Sequence, residues 1–431
     1  MTFASLDPAA VRDAALRAAD RIGARLVRDA VRDGPRAAWL GDHMEPVNNQ
    51  WAVALKASGP DLYSGTPGIA MFLARLHERT GERLFSLTAE AALEQCLSQL
   101  ESIPQESRAA VWSGWAGIAW ALLDTGASLG RAQWTDRGLE LVDRITRLDP
   151  AAGMLDVMSG SAGVIPFLLD VHRRYDRPAA LAAAVRHGEA LLAAANRSER
   201  GWSWTTLPPT AGFENRDLCG LSHGASGIAL ALLELAQATG DSRFSSAAEH
   251  GIAYEQQWFS PEHSNWPDFR EMAPNTPVAQ WGYSTTWCHG AAGIALARLR
   301  AWQLTNRPDY RQQAEAALYT TAVNVETAAP AGGSWCLCHG TAGNADILLV
   351  GAEILGDPSW RLPACQAAIR GIETYENAQL PWPPGVTGGS DNPGLMLGNA
   401  GTGWFFLRLA APEIVSSVLL FSGQSQGEHS S

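Results

Sequence analysis

Residues 224–240, GASGIALALLELAQATG, contain the pattern that decides the fold. Two glycines, Gly224 and Gly227, precede an apolar run, and a third, Gly240, follows thirteen residues after the second. Such a run predicts a buried helix of roughly 12 to 13 residues, because glycine tolerates the left-handed conformation that ends a helix. The stretch therefore predicts one inner helix with defined ends.

The same Gly-x-x-Gly phrase occurs seven times, and its first glycines are Gly65, Gly114, Gly160, Gly224, Gly290, Gly340 and Gly398. The first six copies have matching end positions, namely Gly81, Gly130, Asp176, Gly240, Asn306 and Gly356. The intervals leave room for a second helix in each copy, and stretches such as 86–101 and 311–323 have the amphipathic period of an outer helix. We therefore predict an all-α fold, an α/α toroid (double-layer barrel) of seven inner and seven outer helices, since an open solenoid would need polar caps.

No linker divides the chain, which predicts a single domain over residues 1–421 and a disordered polar tail at 422–431. Two longer intervals, at about 196–222 and 252–287, are rich in Trp and Pro and are expected to be loop insertions. No alternating run predicts a sheet. We expect the glycine pairs to let the inner helices approach closely. All seven helix N-termini would then gather at one end of the ring, where a site could form.

Composition excludes several classes of function. The 431 residues carry a formal net charge of -12, which argues against nucleic acid or anionic lipid as the main partner. The N-terminus lacks the pattern of a signal peptide, and no apolar run is long enough to span a bilayer, so we expect a cytoplasmic protein. Six cysteines in a reducing compartment are more often metal ligands or catalytic groups than disulfides.

The seven copies differ at the residue before the first glycine. Serine stands there in the first three copies and leucine in the seventh, whereas the fourth to sixth have His223, His289 and His339. In the fifth and sixth copies a cysteine precedes the histidine, at Cys288 and Cys338. Because equivalent positions of adjacent repeats are neighbours in a ring, the two cysteines are expected at the same rim.

Two cysteines and one histidine would give zinc three protein ligands and leave its fourth position to water or substrate, which is the arrangement of a catalytic site. The spacing leaves open whether the histidine is His339 or His289. Cys336 could compete as a ligand, although the repeat gives it no counterpart. The alternative is a pair of buried free cysteines behind the rim.

At these residues the sequence resembles the lanthionine synthetase C family, the lanthipeptide cyclases. The phrases DLYSGTPGIAMFLA (61–74), TTWCHGAAGIALARL (285–299) and LCHGTAGN (337–344) are most similar to the cyclase domain of class II synthetases, and the resemblance spans about residues 15–412. It implies the same toroid, zinc bound by Cys288, Cys338 and His339, and proton transfer by His223 and Asp156. The implied reaction is the addition of peptide cysteine thiolates to dehydroalanine or dehydrobutyrine, which forms lanthionine and methyllanthionine thioether rings.

The resemblance also implies partners. The substrate would be a dehydrated precursor peptide with its leader, and a separate dehydratase would prepare it, because the chain begins where the cyclase would begin. A biosynthetic complex at the membrane could include a transporter. Ser284 stands where free-standing cyclases often have an arginine four residues before the first zinc cysteine, which puts the role of that arginine in doubt here.

His223 and Asp156 each have a predicted catalytic role and an alternative structural role. His223 is expected to protonate the enolate, because the ordinary pKa of histidine lies near working pH. Asp156 is expected to orient His223 or to accept the thiol proton. The alternatives are a core histidine that caps a helix and an N-cap or loop aspartate, and His289 is expected to be structural. Competing functions are intermolecular addition of a thiol such as glutathione, and a non-catalytic toroid that binds peptide.

Overall fold

The computed structural model describes residues 7–47, 50–207, 216–270, 272, 275–329 and 333–421. None of the helices in these ranges is long and apolar enough to cross a membrane. Inner and outer helices alternate along this part of the chain. In chain order the helices are α1 (Pro8–Asp29), α2 (Thr66–Thr80), α3 (Arg83–Ser98), α4 (Trp115–Leu129), α5 (Ala132–Ile145), α6 (Ser161–Tyr175), α7 (Pro178–Ala193), α8 (Ala225–Thr239), α9 (Ser242–Gln256), α10 (Ala291–Thr305), α11 (Pro308–Thr327), α12 (Thr341–Leu355), α13 (Arg361–Gly371) and α14 (Asn399–Ala410).

The inner helices, which are the even-numbered ones, begin and end where the repeat predicts. Each begins at the residue after the first glycine of its copy. The first six end before a residue with φ between 49° and 73°, which is the left-handed region that favours glycine. These residues are the six predicted positions, Gly81, Gly130, Asp176, Gly240, Asn306 and Gly356.

The second glycine of the repeat is required by close approach, as Gly227 illustrates. A Cβ there would lie 2.5 Å from Cγ2 of Val157 in the neighbouring repeat, which is the predicted approach between repeats. It would also lie 2.0 Å from the carbonyl oxygen of Leu221, in the loop before its own helix. The glycine therefore also lets each loop fold back on the helix that follows it, a contact that the sequence interpretation omitted.

The helices close into a ring, and the predicted α/α toroid is confirmed. Each inner helix packs against the outer helix that follows it, and successive inner helices pack side by side. The last inner helix, α14, contacts both α2 and α1, so that the first helix of the chain is the outer partner of the last. The inner helices are buried almost all round, as their uniformly apolar sequences require.

Arginine–carboxylate pairs join neighbouring inner helices. A charge that is removed from water needs a partner, because its desolvation is otherwise uncompensated. The pairs connect α2 with α4, α8 with α10, and α12 with α14. They are Arg75–Asp124 at 2.5 Å, Arg300–Glu234 at 2.6 Å and Arg408–Asp346 at 2.7 Å.

The segment after α14 fills the centre of the ring. The ring of Phe421 lies 4.1 Å from that of Trp120 on α4 and 6.2 Å from that of Phe167 on α6, between centroids. The indole N–H of Trp287 donates to the carbonyl of Leu419 at 3.0 Å. The centre is therefore packed with side chains directly beneath the loop that carries Cys288.

Three antiparallel hairpins project from the helices, and the expectation of no sheet was wrong. They pair β1 (Val31–Asp33) with β2 (Arg36–Ala38), β3 (Leu40–Val47) with β4 (Gln50–Ala57), and β5 (Asn196–Ser198) with β6 (Gly201–Ser203). Apolar residues on β3 and β4 stay exposed, Trp51 at 70%, so no buried face marks these strands in the sequence. Of the expected loop insertions, 252–287 is still helical up to Gln256, and the polar tail at 422–431 lies outside the described residues.

Candidate functional site

The loops before the inner helices are joined to one another at one end of the ring. Backbone hydrogen bonds run from Ser222 to the carbonyl of Cys288 at 3.2 Å and from Cys338 to that of Met396 at 3.0 Å. Met396 in turn donates to the carbonyl of Tyr63 at 2.7 Å. The residues that distinguish the repeats are therefore held at a common rim.

A shared turn positions four of these loops. A side chain four residues before the first glycine accepts a hydrogen bond from the backbone N–H three residues later. The pairs are Asp61 with Ser64 at 2.8 Å, Asp156 with Ser159 at 2.7 Å, Thr286 with His289 at 3.1 Å and Cys336 with His339 at 3.4 Å. The view that the repeat gives Cys336 no counterpart was wrong, because its sulfur occupies the position of the Asp156 carboxylate.

Cys288 and Cys338 meet at the rim. Their sulfurs are hydrogen-bonded, and this bond lowers the pKa of Cys288 to about 6 against the opposing effect of burial. The same bond, together with burial, raises the pKa of Cys338 well above its usual value. The hydroxyl of Thr286 lies 3.3 Å from the Cys288 sulfur. The two sulfurs therefore lie next to each other, and the Cys288 thiol is the one that loses its proton more readily.

His339 lies beside Cys336 and is fixed by the backbone. Its Nε2–H donates to the Gly385 carbonyl at 2.8 Å, so Nδ1 is the ring nitrogen that a metal ion could use once that nitrogen has lost its proton. Burial alone would lower the pKa of His339, but the hydrogen bond to Cys336 and the charges of Cys336 and Cys288 raise it to about 9. Burial alone would raise the pKa of Cys336, and the contact with His339 lowers it instead.

Two of the three predicted zinc ligands, Cys288 and Cys338, are in contact with each other, whereas the third, His339, contacts Cys336. Among the described residues, however, no three Cys, His, Asp or Glu side chains have a ready-made arrangement for a metal ion. The choice of zinc ligands therefore stays a prediction, and Cys336 is placed to compete.

His223 and Asp156 form a hydrogen-bonded pair. Nδ1 of His223 lies 2.5 Å from Oδ2 of Asp156, whose other oxygen caps the turn at Ser159. The aspartate side chain is 2% exposed, whereas 24% of the histidine side chain reaches the surface of the rim. Asp156 thus accepts hydrogen bonds from both the Ser159 backbone and His223, and its part in proton transfer stays a prediction.

His289 is stacked on His223, with ring centroids 5.8 Å apart and an angle of 28°. It is 1% exposed, and burial lowers its pKa to about 3, so its ring is neutral at working pH. Nδ1 of His289 lies 4.0 Å from Oδ1 of Asp268, and the backbone of Cys219 is also near the ring. Neither ring nitrogen, however, has a well-formed hydrogen bond in the part of the chain that the structure describes.

Sequence reasoning missed Tyr63, although a signal was present. Tyr63 stands two residues before the first glycine of its repeat, the register of Cys288 and Cys338. Its hydroxyl donates to the Cys338 sulfur, and burial raises the pKa of this hydroxyl well above its usual value. The ring packs edge-on against Trp112 with centroids 6.3 Å apart.

A second group of missed residues lies in the segment between α9 and α10. Arg270 pairs with Asp268 at 2.6 Å, and the hydroxyl of Ser284 donates to the same carboxylate at 2.8 Å. These three residues line a cavity of about 630 Å³. The segment has no repeat to give its register, so the sequence contained no signal for this arrangement.

The family model described as "Lanthionine synthetase C-like protein" matches residues 56–420. "Glutathione S-transferase LANCL1" from Danio rerio is 25% identical over 318 residues, which cover 71% of this chain and 73% of the relative. The solved structure titled "Nisin cyclase" has a TM-score of 0.63 at 16% identity and covers 92% of this chain and 93% of its own. A GH76 alpha-mannanase from Bacteroides thetaiotaomicron has a TM-score of 0.51 at 10% identity, over 94% and 99% of the chains. The two structures support the toroid alone.

Proposed function

Because the chain belongs to the lanthionine synthetase C-like family, we propose that it is a cyclase that closes thioether rings in a dehydrated precursor peptide. The observation that carries the proposal is the position of two pairs on adjacent loops of one rim. Ser222, next to His223, is hydrogen-bonded to Cys288, so the Asp156–His223 pair adjoins the Cys288–Cys338 pair. The Cys288–Cys338 pair is suited to hold a thiol beside a metal ion, and the Asp156–His223 pair is suited to transfer a proton.

Zinc is the metal that this donor set fits. Two sulfurs lie next to each other, and the Nε2–H of His339 is held by a carbonyl in the manner of a metal-bound histidine. Cys288, Cys338 and His339 would hold the ion, and Cys336 is the alternative donor. When bound, zinc would supply a positive charge that favours the thiolate form of a cysteine.

The chain's own residues would direct the protons. The substrate thiol gives its proton to water, its sulfur bonds to the β-carbon of the dehydrated residue, and the carbon–carbon double bond becomes an enolate. His223 then gives one proton to the α-carbon, so the addition needs no other reactant. Asp156 accepts a hydrogen bond from Nδ1 of His223 and leaves Nε2 for the substrate.

A second reaction deserves a test, because the Danio rerio relative is named a glutathione S-transferase. In that reaction the thiol comes from a separate small molecule and the acceptor is the same dehydrated residue. The same two pairs of side chains would serve both reactions. In the cell, a separate dehydratase would supply the peptide.

Mass spectrometry tests the proposal. A peptide with one cysteine and one dehydroalanine keeps its mass on cyclisation, so free thiols are trapped afterwards with N-ethylmaleimide. We expect unalkylated product with the zinc-loaded protein, with glutathione present or absent. A glutathione adduct as the sole product would overturn the cyclase in favour of the transferase.

Metal analysis tests the ligands. Cys288→Ala and Cys338→Ala should each lose zinc and ring formation, whereas Cys365→Ala, at a half-buried free cysteine on α13, should keep both. Full retention of zinc in the first two variants would refute the site.

A further inference from the structure

A cavity beside the rim has walls that no repeat supplies. It measures about 630 Å³, and its walls belong to the segment between α9 and α10. Arg270, Asp268, Tyr283 and Ser284 are among the residues that line it. Four residues after Ser284 comes Cys288, so the cavity adjoins the sulfur pair.

The guanidinium of Arg270 is held in a fixed orientation. Its Nε and Nη2 donate to the two oxygens of Asp268 at 2.9 and 2.6 Å. Asp268 is in turn held by the Ser284 hydroxyl and by its own N–H, which donates to the Gly282 carbonyl at 2.9 Å. Burial would raise the pKa of this carboxyl, but Arg270 and the other donors hold it well below its usual range.

The Arg270–Asp268 pair lies next to the loop that carries the sulfur pair. Oδ1 of Asp268 is 4.0 Å from Nδ1 of His289, the residue that follows Cys288. Since 40% of the Arg270 side chain stays exposed, the guanidinium is open to a molecule in the cavity.

The charge of the proposed metal site explains why a positively charged residue such as Arg270 would be needed beside it. Two cysteine thiolates balance the charge of a divalent ion, so a third sulfur anion from a substrate gives the site an excess negative charge. A fixed cation nearby favours that state, because the attraction is strong where water is partly excluded.

On the premise of the function proposed above, we propose that this cavity receives the cysteine-bearing segment of the peptide, and that Arg270 stabilises its sulfur as an anion. Asp268 and Ser284 are positioning residues that aim the guanidinium. The sulfur pair comes from the repeat, and the guanidinium that would stabilise the substrate sulfur comes from the inserted segment.

Thiol binding to the cobalt-loaded protein tests this inference without turnover. N-acetylcysteinamide, an uncharged thiol, is titrated while the sulfur-to-cobalt absorption band is followed, with N-acetylserinamide as the probe without sulfur. We expect Arg270→Gln to bind the thiol at least about ten-fold more weakly and Arg270→Lys to be intermediate. Arg311→Ala, at an exposed arginine on α11, should bind as the unchanged protein does.

The outcomes separate the two proposals. If the unchanged protein gains no band with the thiol, the proposed function fails and this inference fails with it. If the unchanged protein binds the thiol and Arg270→Gln binds it equally well, only the inference is overturned. Ser284→Ala, a smaller change, should weaken binding about three-fold if Asp268 aims Arg270. Cobalt content and melting temperature are measured for each variant, so that a folding defect is recognised.

Discussion

Asp156 and His223 come from consecutive repeats, the third and the fourth, and are joined by a hydrogen bond of 2.5 Å. We expect Asp156→Asn to slow ring formation by roughly a hundred-fold, because the amide keeps the turn at Ser159 but replaces the carboxylate that accepts from Nδ1 of His223 and orients the ring. Rates measured by thiol trapping check this.

A matched control for this change exists in the first repeat. Asp61 makes the same turn, with Ser64, at the same register. Asp61→Asn should therefore leave the rate within a few-fold of the original. Equal rates for the two variants would remove the catalytic role from Asp156.

Cys336 provides a test of the shared turn. Cys336→Ala should lower the free energy of unfolding by about 1 kcal/mol, because the N–H of His339 loses its acceptor. Cys336→Thr, which introduces the residue type of Thr286 into the same turn, should restore most of this lost free energy. Urea unfolding measures the free energy of unfolding of both variants. If Cys336→Ala loses zinc as completely as Cys338→Ala does, Cys336 is a ligand and the predicted ligand set is wrong.

Gly227→Ala should destabilise the fold by about 3 kcal/mol or more, although alanine favours a helix by about 1 kcal/mol. The new methyl would overlap the Leu221 carbonyl and the Val157 side chain. At Gly333, by contrast, a Cβ would meet nothing within 4 Å among the described residues. Gly333→Ala should thus change the urea midpoint little, and an equal effect at both sites would contradict the packing argument.

Stability should fall as the pH is lowered from about 6.5 to about 4. His187 is 2% exposed and hydrogen-bonded to Ser161, and burial lowers its pKa to about 4. Below the ordinary histidine pKa of about 6.5, His187 is protonated in the unfolded chain but stays neutral in the folded chain, so lower pH favours unfolding. The loss reaches on the order of 3 kcal/mol near pH 4.

Urea unfolding from pH 7 to pH 4 checks this dependence. His187→Gln should reduce the slope of this dependence, while His250→Gln, at an exposed histidine on α9, should not. A steep, unchanged dependence in the first variant would assign the acid sensitivity to other groups.

The inner helices could be predicted from sequence because their signals are local. Glycine at a close contact or in the left-handed region is a requirement of the backbone itself, so Gly227 and Gly240 mark a helix without knowledge of its neighbours. Register within the repeat likewise pointed to Cys288, Cys338 and His223. The same register would have pointed to Tyr63, because it shares the position of the cysteines.

The residues that escaped prediction depend on contacts that the repeat does not encode. Arg270 is aimed by Asp268 and Ser284, and that arrangement exists only once the inserted segment is folded. The β3–β4 hairpin has no buried face, so its strands carry no alternation from core to surface. Cys336 escaped for another reason, since its counterparts are aspartate and threonine, which share its hydrogen-bonding role and not its residue type.

The contact between α1 and α14 has a consequence for the newly made chain. The face of α1 that includes Ala15, Ala19 and Ile22 is buried in the toroid, and α14 lies almost four hundred residues downstream. At the speed of a ribosome, roughly 20 to 80 s pass between synthesis of the two helices. During that time the first helix lacks its partner, so we expect the seam between the first and last helices to determine when the nascent chain becomes resistant to proteases.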